Sequence, residues 1–268
     1  MSDKYKIEVM DTAKKNIPQR AVSKNGTLPK FPFSMIISGK SGSGKTNLLL
    51  NLLTKKEFYN NYFHYILIFS PTIGCGDDMY DVLKLPEENI MNDFNEEHLN
   101  NIIEARKALI KEKGIEYVAK NSRMLIIMDD CIASQKGFLQ SPSALKMFAL
   151  LRHYLVSVII LIQSYNKIPR ALRINSNATM VFPSTQSEIE VLIDEITPPN
   201  FKKRDFEKVI DYATSEQYQF LYINNHAAPD KRIRKNLTEI IDLESFKTKN
   251  KSKEYYRTNK EEDVPKYQ

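Results

Sequence analysis

Residues 33–53 of the chain read FSMIISGKSGSGKTNLLLNLL. The apolar residues at the start of this stretch predict a buried strand, and the leucines at its end predict an amphipathic helix. Between the two lies a complete GxxxxGK[ST] motif, Gly39-Lys40-Ser41-Gly42-Ser43-Gly44-Lys45-Thr46. Glycines let successive backbone N–H groups curl around a phosphate, and the helix N-terminus directs its positive end at the same anion. We therefore predict a phosphate loop, in which Lys45 reaches the β- and γ-phosphates and the Thr46 hydroxyl ligates Mg²⁺.

A second motif follows downstream, where residues 124–130 read MLIIMDD. An apolar strand that ends in two acids is typical of the Walker B arrangement. Asp129 is predicted to hold Mg²⁺, mainly through water. Asp130 occupies the position at which many ATPases carry a glutamate that polarises the attacking water. The alternative is a strand that simply ends in a solvated acidic turn.

Other P-loop classes lack support in this sequence. A GTPase needs an NKxD-like motif to recognise guanine, and the nearest string, residues 166–169 (NKIP), has no acid at its fourth position. No LSGGQ-like signature of a transporter cassette is present, and no lid typical of a small-molecule kinase is visible between Lys45 and Asp129. ATP hydrolysis is the prediction that remains.

The pattern of the whole chain indicates an α/β fold with a mainly parallel central sheet flanked by helices, because short apolar runs alternate with longer amphipathic ones. We predict strands at 33–38, 65–70, 124–128, 156–162, 180–182 and 220–223. Helices are predicted at 45–53, 96–113 (after Asn95), 141–154 (from Ser141 and Pro142) and 188–196. The predicted domains are an N-terminal arm (1–30), an ATPase domain (31–243) and a basic, flexible tail (244–268).

Composition narrows the class of protein further. No apolar run approaches the roughly 18 residues of a membrane-spanning helix, so we predict no transmembrane segment. The two cysteines, Cys75 and Cys131, lie far apart and predict reduced thiols in an intracellular protein. The formal net charge of +6 is compatible with a polyanionic partner.

A third cluster, residues 151–164, reads LRHYLVSVIILIQS and is predicted to be a strand that ends at Gln163. An amide there lies beside the γ-phosphate, where it can orient water. This segment, the following KIPRALRINS, the phosphate loop and the acidic motif together resemble the poxvirus-type DNA-packaging ATPases of large DNA viruses and virophages. These proteins belong to the FtsK–HerA superfamily of P-loop ATPases. The resemblance extends from about Phe31 to about Ile241.

The resemblance implies a RecA-like core that forms a homo-oligomeric ring, a pentamer or hexamer, around double-stranded DNA. ATP would lie between subunits, and an arginine of the neighbour would complete the site. Arg152 is the first candidate for this arginine, with Arg170 and Arg173 as alternatives. The implied partners also include capsid portal or vertex proteins and a separate nuclease. The implied location is the host cytoplasm, the viral factory or the virion.

Two groups of basic residues are predicted to contact DNA, although a solvated surface is the alternative for each. They are Lys167, Arg170 and Arg173 after Gln163, and Lys231, Arg232, Arg234 and Lys235 near the end of the domain. The resulting prediction is an ATP-driven translocase that packages a viral genome into a capsid. The competing readings are a HerA-like DNA helicase or translocase, and an ATP-dependent switch or scaffold that does not move DNA.

Overall fold

The computed structural model describes residues 27–72, 79–92, 96–131, 148 and 150–248. The strands in this part of the chain are β1 (Ser34–Ser38), β2 (Tyr65–Phe69), β3 (Ile90–Met91), β4 (Met124–Asp129), β5 (Val156–Ile162), β6 (Ala178–Val181), β7 (Leu221–Asn224), β8 (Ile233–Lys235) and β9 (Glu239–Ile240). The α-helices are α1 (Lys45–Thr54), α2 (Glu96–Lys113), α3 (Ile115–Asn121), α4 (Arg170–Ile174), α5 (Gln186–Ile196) and α6 (Lys203–Ala213). Residues 148 and 150–153 are also helical.

These strands form one sheet in the order β3-β2-β4-β5-β1-β6-β7-β8-β9. The pairs from β3 to β6 are parallel, and the pairs from β6 to β9 are antiparallel. The predicted α/β fold with a mainly parallel sheet flanked by helices is therefore confirmed. We call the edge at which the parallel strands end the carboxyl edge, and the edge at which they begin the amino edge.

The sheet is covered on both faces, which explains why its central strands are apolar without alternation. Every residue of β5 is buried, and neighbours along it belong to different apolar clusters, Val158 to one and Ile159 to the other. Helix α1 packs on the Ile159 face through Leu49, whereas α6 packs on the Val158 face through Phe206. The strands that lead to the carboxyl edge are thus held rigidly between two layers of helices.

Local sequence signals set the ends of several helices. Helix α2 has the predicted bounds and ends at Lys113, and the φ of 85° at the following Gly114 suits the residue after a helix. Helix α5 begins at Gln186, two residues before the predicted start. The reason is that Thr185 precedes it as the cap, and Glu188 Oε2 accepts a hydrogen bond from the Thr185 N–H at 3.3 Å.

Sequence analysis did not predict helix α6, which has 11 residues, or the short elements α3, α4, β3, β8 and β9. The predicted strands 180–182 and 220–223 are displaced, to β6 and β7. Several predictions fall outside the described residues: Cys75, the cap Asn95, the start of a helix at Ser141 and Pro142, most of the N-terminal arm, and the tail beyond residue 248. Within the described part of the chain, no helix is long and apolar enough to cross a membrane.

The start of the predicted flexible tail needs a correction. Leu243–Phe246 form a 3-10 helix, and the Phe246 ring lies 5.6 Å from the Tyr212 ring of α6. The Thr248 N–H donates to Asp205 Oδ2 at 3.1 Å. The pKa of Asp205 lies well below its ordinary value because its carboxylate accepts hydrogen bonds from the Thr248 hydroxyl, the Lys208 ammonium and the Thr248 amide. The chain therefore stays packed on α6 through Thr248.

Candidate nucleotide-binding site

Three loops meet at the carboxyl edge, because β4, β5 and β1 are neighbours in the sheet and all end there. The loop after β1 is the predicted phosphate loop, the one after β4 begins with Asp130, and the one after β5 begins with Gln163. In parallel α/β sheets, ligands bind in the crevice beyond the carboxyl ends of the strands. The candidate residues that sequence analysis placed in three separate segments thus lie in one region.

The phosphate loop adopts a conformation that requires its glycines. Gly42 and Gly44 have φ values of 74° and 99°, which other residues rarely adopt. At Gly39 the constraint is space, because an added Cβ would lie 2.7 Å from the Phe182 Cβ. The Gly39 N–H donates to the carbonyl of Ile162, the last residue of β5, at 3.0 Å. The loop is therefore anchored to the strand that precedes Gln163.

Lys45 is the buried cation of the loop. Its Nζ donates to the carbonyls of Gly39 at 2.7 Å and Lys40 at 3.1 Å. Burial lowers the pKa of Lys45, and the nearby carboxylates of Asp130 and Asp129 oppose this decrease. The ammonium therefore lies within the electrostatic field of both acids, at the N-terminus of α1, where an anion is favoured.

The two acids are held in different ways. Asp129 is buried, and its Oδ2 accepts a hydrogen bond from the Tyr80 hydroxyl at 2.6 Å. Asp130 has a left-handed backbone with φ of 50°, and its N–H donates to the Leu161 carbonyl at 3.1 Å. This turn leaves the Asp130 carboxylate half-exposed, and its Oδ2 accepts a hydrogen bond from Gln163 Nε2 at 2.8 Å.

The residues of this region fit a nucleotide with its metal. The Ser43 hydroxyl in the phosphate loop is buried and has no hydrogen-bond partner among the described residues. An oxygen of a phosphate would satisfy such a group. The Thr46 hydroxyl and the Asp129 carboxylate are the oxygen ligands that Mg²⁺ prefers. The site therefore has both the anion cradle and the hard donors that a Mg²⁺–nucleotide needs.

Two of the residues predicted to contact DNA beside this site are exposed, and one is not. Lys167 and Arg170 lie just beyond Gln163 and are exposed. Arg173 is only 9% exposed, and its guanidinium donates to Glu195 through Nε at 2.9 Å and through Nη2 at 2.6 Å. Arg173 Nη1 donates to the Ile168 carbonyl. A buried guanidinium with its donors engaged does not reach a DNA phosphate, so Arg173 is reassigned to holding α4 against α5.

The second basic group also contains both buried and exposed residues. Arg234 is 6% exposed, and its Nε donates to the Lys231 carbonyl at 3.2 Å, so the prediction that it contacts DNA is corrected. Lys231 is exposed and Arg232 is half-exposed. Both precede β8, which begins at the amino edge. Lys235 Nζ lies 4.5 Å from the centre of the Tyr212 ring.

Arg152 lies at the amino edge as well, because it precedes the start of β5. It is exposed, and it is remote from the phosphate loop of its own subunit, since that loop is at the opposite edge. Burial lowers the pKa of His226, and the charges of Arg152 and Arg232 lower it further. Both arginines therefore lie near His226, and together with Lys231, which directly precedes Arg232 in the chain, they place positive charge at the amino edge.

Sequence analysis missed two aromatic residues of the region. Tyr80 comes from a short 3-10 helix that carries no motif, and Tyr218 comes from a turn whose ring approaches Gly44. No periodicity or spacing in the sequence signals either contact. Cys131, which sequence analysis predicted to be a reduced thiol, is buried, and its Sγ donates to the Phe69 carbonyl at 2.9 Å.

Comparison with known proteins finds similarity along most of the chain. The Poxvirus A32 protein family matches residues 22–255. An uncharacterized protein, 088R of Invertebrate iridescent virus 3, is 28% identical over 195 residues, which cover 71% of this chain and 69% of that protein. The DNA packaging protein OPG160 of Vaccinia virus (strain Copenhagen) is 26% identical over 179 residues, which cover 66% of this chain and 63% of that protein.

One solved structure extends the comparison to three dimensions. The chain is similar to B204, the DNA-packaging ATPase of Sulfolobus turreted icosahedral virus, with a TM-score of 0.50 and 15% sequence identity. The alignment covers 72% of this chain and 93% of B204. At this identity the similarity concerns the fold, which is that of a P-loop ATPase.

Proposed function

Because the chain belongs to the Poxvirus A32 protein family, which matches residues 22–255, we propose that it is an ATPase that drives double-stranded DNA into a viral capsid. The observation that carries the enzymatic part is the meeting of Lys45, Asp129, Asp130 and Gln163 at one edge of the sheet. The DNA part is supported by the Vaccinia virus relative, which is a DNA packaging protein, and by exposed basic residues near this site.

In the proposed mechanism, the backbone N–H groups of the phosphate loop and the Lys45 ammonium hold the β- and γ-phosphates. Asp130 accepts a hydrogen bond from the attacking water and draws its proton away, and Gln163 fixes the orientation of the Asp130 carboxylate through the 2.8 Å hydrogen bond. Mg²⁺, held by Thr46 and Asp129, would supply positive charge that offsets the charge of the phosphates. The Tyr80 hydroxyl positions the Asp129 carboxylate through the 2.6 Å hydrogen bond.

Movement of DNA requires that hydrolysis change a surface that contacts the duplex. Lys167 lies in the segment between Gln163 and α4, and Arg170 is the first residue of α4, so we expect a shift of the Gln163 amide to reach both. The patch at the amino edge, formed by Arg152, Arg232 and Lys231, faces away from the nucleotide of its own subunit. In a ring it is available to DNA or to the neighbouring subunit, and Arg152 remains our first candidate for the arginine that completes that neighbour's site. Contacts with portal or vertex proteins and with a separate nuclease belong to the same proposal.

The test is ATP hydrolysis by the purified chain with and without long duplex DNA. We expect stimulation by DNA, and we expect Lys45→Ala to abolish both basal and stimulated hydrolysis. Lys107→Ala removes the same charge from an exposed position on α2 and serves as the matched control. Hydrolysis that does not respond to DNA, in a preparation that forms rings, would favour the ATP-dependent switch or scaffold. Stimulation by DNA without uptake into capsids would favour a HerA-like translocase.

The link between the site and DNA has its own experiment. Lys167→Glu combined with Arg170→Glu should reduce the stimulation by DNA while basal hydrolysis is retained, because both side chains are exposed beyond the nucleotide site. A collapse of basal hydrolysis would instead place these residues in the nucleotide site itself.

A further inference from the structure

The phosphate loop has two different flanks in the sheet. Asp129, Asp130 and Gln163 follow β4 and β5, which lie on one side of β1. On the other side of β1, the chain after β6, before β7 and after β8 reaches the same edge. The acids mark the flank on which the γ-phosphate reacts. We therefore expect the ribose and base of a bound nucleotide to extend toward the opposite flank.

That opposite flank contains an open groove of about 520 Å³. One wall is the outer side of α1, from Gly44 through Asn47 to Asn51, and the other wall is Phe182 with Tyr218. The groove thus begins at the glycine next to Lys45 and runs away from the acids. No carboxylate is among its described lining residues. A volume of this size is typical of a small-molecule site.

Tyr218 is the most unusual residue of the groove. Tyr218 is 59% exposed, so its apolar ring faces water. Its backbone is left-handed, with φ of 68°. A bulky residue rarely adopts that conformation. The ring lies against the phosphate loop, since a Cβ added to Gly44 would be 3.3 Å from Tyr218 Cδ1. An exposed ring held beside the phosphate loop is a surface on which a flat aromatic group can stack.

The groove also offers polar atoms of both kinds. Asn51 Nδ2 donates to the Asn47 carbonyl at 2.7 Å, so its Oδ1 is the acceptor available to a ligand. Asn236 Oδ1 accepts from the Phe220 N–H at 3.1 Å, so its Nδ2 is the available donor. Adenine presents the complementary pair, an exocyclic amine that donates and ring nitrogens that accept.

From these observations we propose that the groove between α1 and Tyr218 is the subsite for the base of the nucleoside triphosphate, with the base stacked on the Tyr218 ring. This inference rests on the proposed function, because it assumes that the phosphate loop binds a nucleotide. It adds a residue that determines recognition of the base and that no sequence motif marks.

The experiment compares two ligands, ATP and inorganic tripolyphosphate, each titrated calorimetrically with Mg²⁺. Tyr218→Asn removes the ring but keeps a residue that tolerates the left-handed backbone, and Tyr218→Phe keeps the ring. We expect Tyr218→Asn to weaken ATP binding about tenfold, which corresponds to ~1.4 kcal/mol, and to leave tripolyphosphate binding within about twofold. Tyr218→Phe should bind ATP as the unmodified chain does.

The other outcomes separate this inference from the proposed function. If Tyr218→Asn binds ATP normally while Lys45→Ala does not, the base does not stack on Tyr218, but the phosphate loop still binds nucleotide. If Tyr218→Asn weakens both ligands equally, the ring supports the phosphate loop and the base subsite is wrong. If the unmodified chain binds neither ligand, both the inference and the proposed function are overturned.

Discussion

Replacing Arg173 with alanine is expected to destabilise the protein strongly, because the guanidinium belongs to a buried ion pair. The Arg173 side chain is 9% exposed and that of Glu195 is 7% exposed, and two hydrogen bonds of 2.9 and 2.6 Å join them. The guanidinium carbon also lies 5.3 Å from the centre of the Tyr165 ring. Hydrogen bonding to Glu195 is the main reason that the pKa of Arg173 is raised.

The expected loss of stability is large because Arg173→Ala leaves the Glu195 carboxylate buried without its partner. Removing one partner of a buried ion pair costs about 3–5 kcal/mol, since the other charge stays buried without compensation. For a chain of this size, 1 kcal/mol corresponds to about 2–4 °C in the melting temperature, so we expect a decrease of about 6–20 °C. The double variant Arg173→Met with Glu195→Leu removes both charges and should recover most of this loss.

Thermal unfolding followed by circular dichroism measures the decrease, and Arg170→Ala is the matched control in the same helix. Arg170 Nε lies 3.7 Å from Glu195 Oε1, but the Arg170 side chain is 72% exposed. An exposed pair of this kind contributes about 0–1 kcal/mol, so the control should unfold within about 4 °C of the unmodified chain. An unchanged melting temperature of Arg173→Ala together with a loss of affinity for duplex DNA would show instead that Arg173 is a surface residue.

Three further substitutions test other parts of the structure. Gly39→Ala should cost about 1–3 kcal/mol and weaken ATP binding, since the added Cβ would lie 2.7 Å from the Phe182 Cβ; unchanged unfolding and affinity would contradict this packing. Tyr80→Phe removes the hydrogen bond to Asp129 and should lower the free energy of unfolding in urea by about 1–3 kcal/mol; a neutral effect would mean that the contact is absent in solution. Asp205→Asn should lower the melting temperature at pH 7, because a carboxylate with a depressed pKa stabilises the fold while it is ionised. The difference in melting temperature between the variant and the unmodified chain should shrink below pH of about 4. A difference that does not change with pH would show that the charge of Asp205 is not its cause.

The sequence alone identified the fold class and the elements that carry the phosphate loop. An apolar strand, a glycine-rich turn and an amphipathic helix are local patterns, and each is set by residues close together in the chain. The same holds for the bounds of α2, which is followed by a glycine, and for β5, in which six of seven residues are apolar and all seven are buried. These features follow from short-range chemistry, and the structure agrees with them.

Short elements escaped prediction for a physical reason. Helix α4 has five residues and β9 has two, and so few residues establish no periodicity. Such segments form because neighbouring elements supply their hydrogen bonds and apolar contacts. Their own propensities are too weak to decide the outcome.

Only the tertiary structure determines the different roles of residues that are chemically similar. Arg170 and Arg173 lie three positions apart in one short helix, yet one is exposed and the other is buried against Glu195. Tyr80 reaches Asp129, and Tyr218 reaches Gly44, across long intervals of sequence. Burial and contact depend on how helices pack against the sheet, and this packing is a property of the assembled chain that no local pattern encodes.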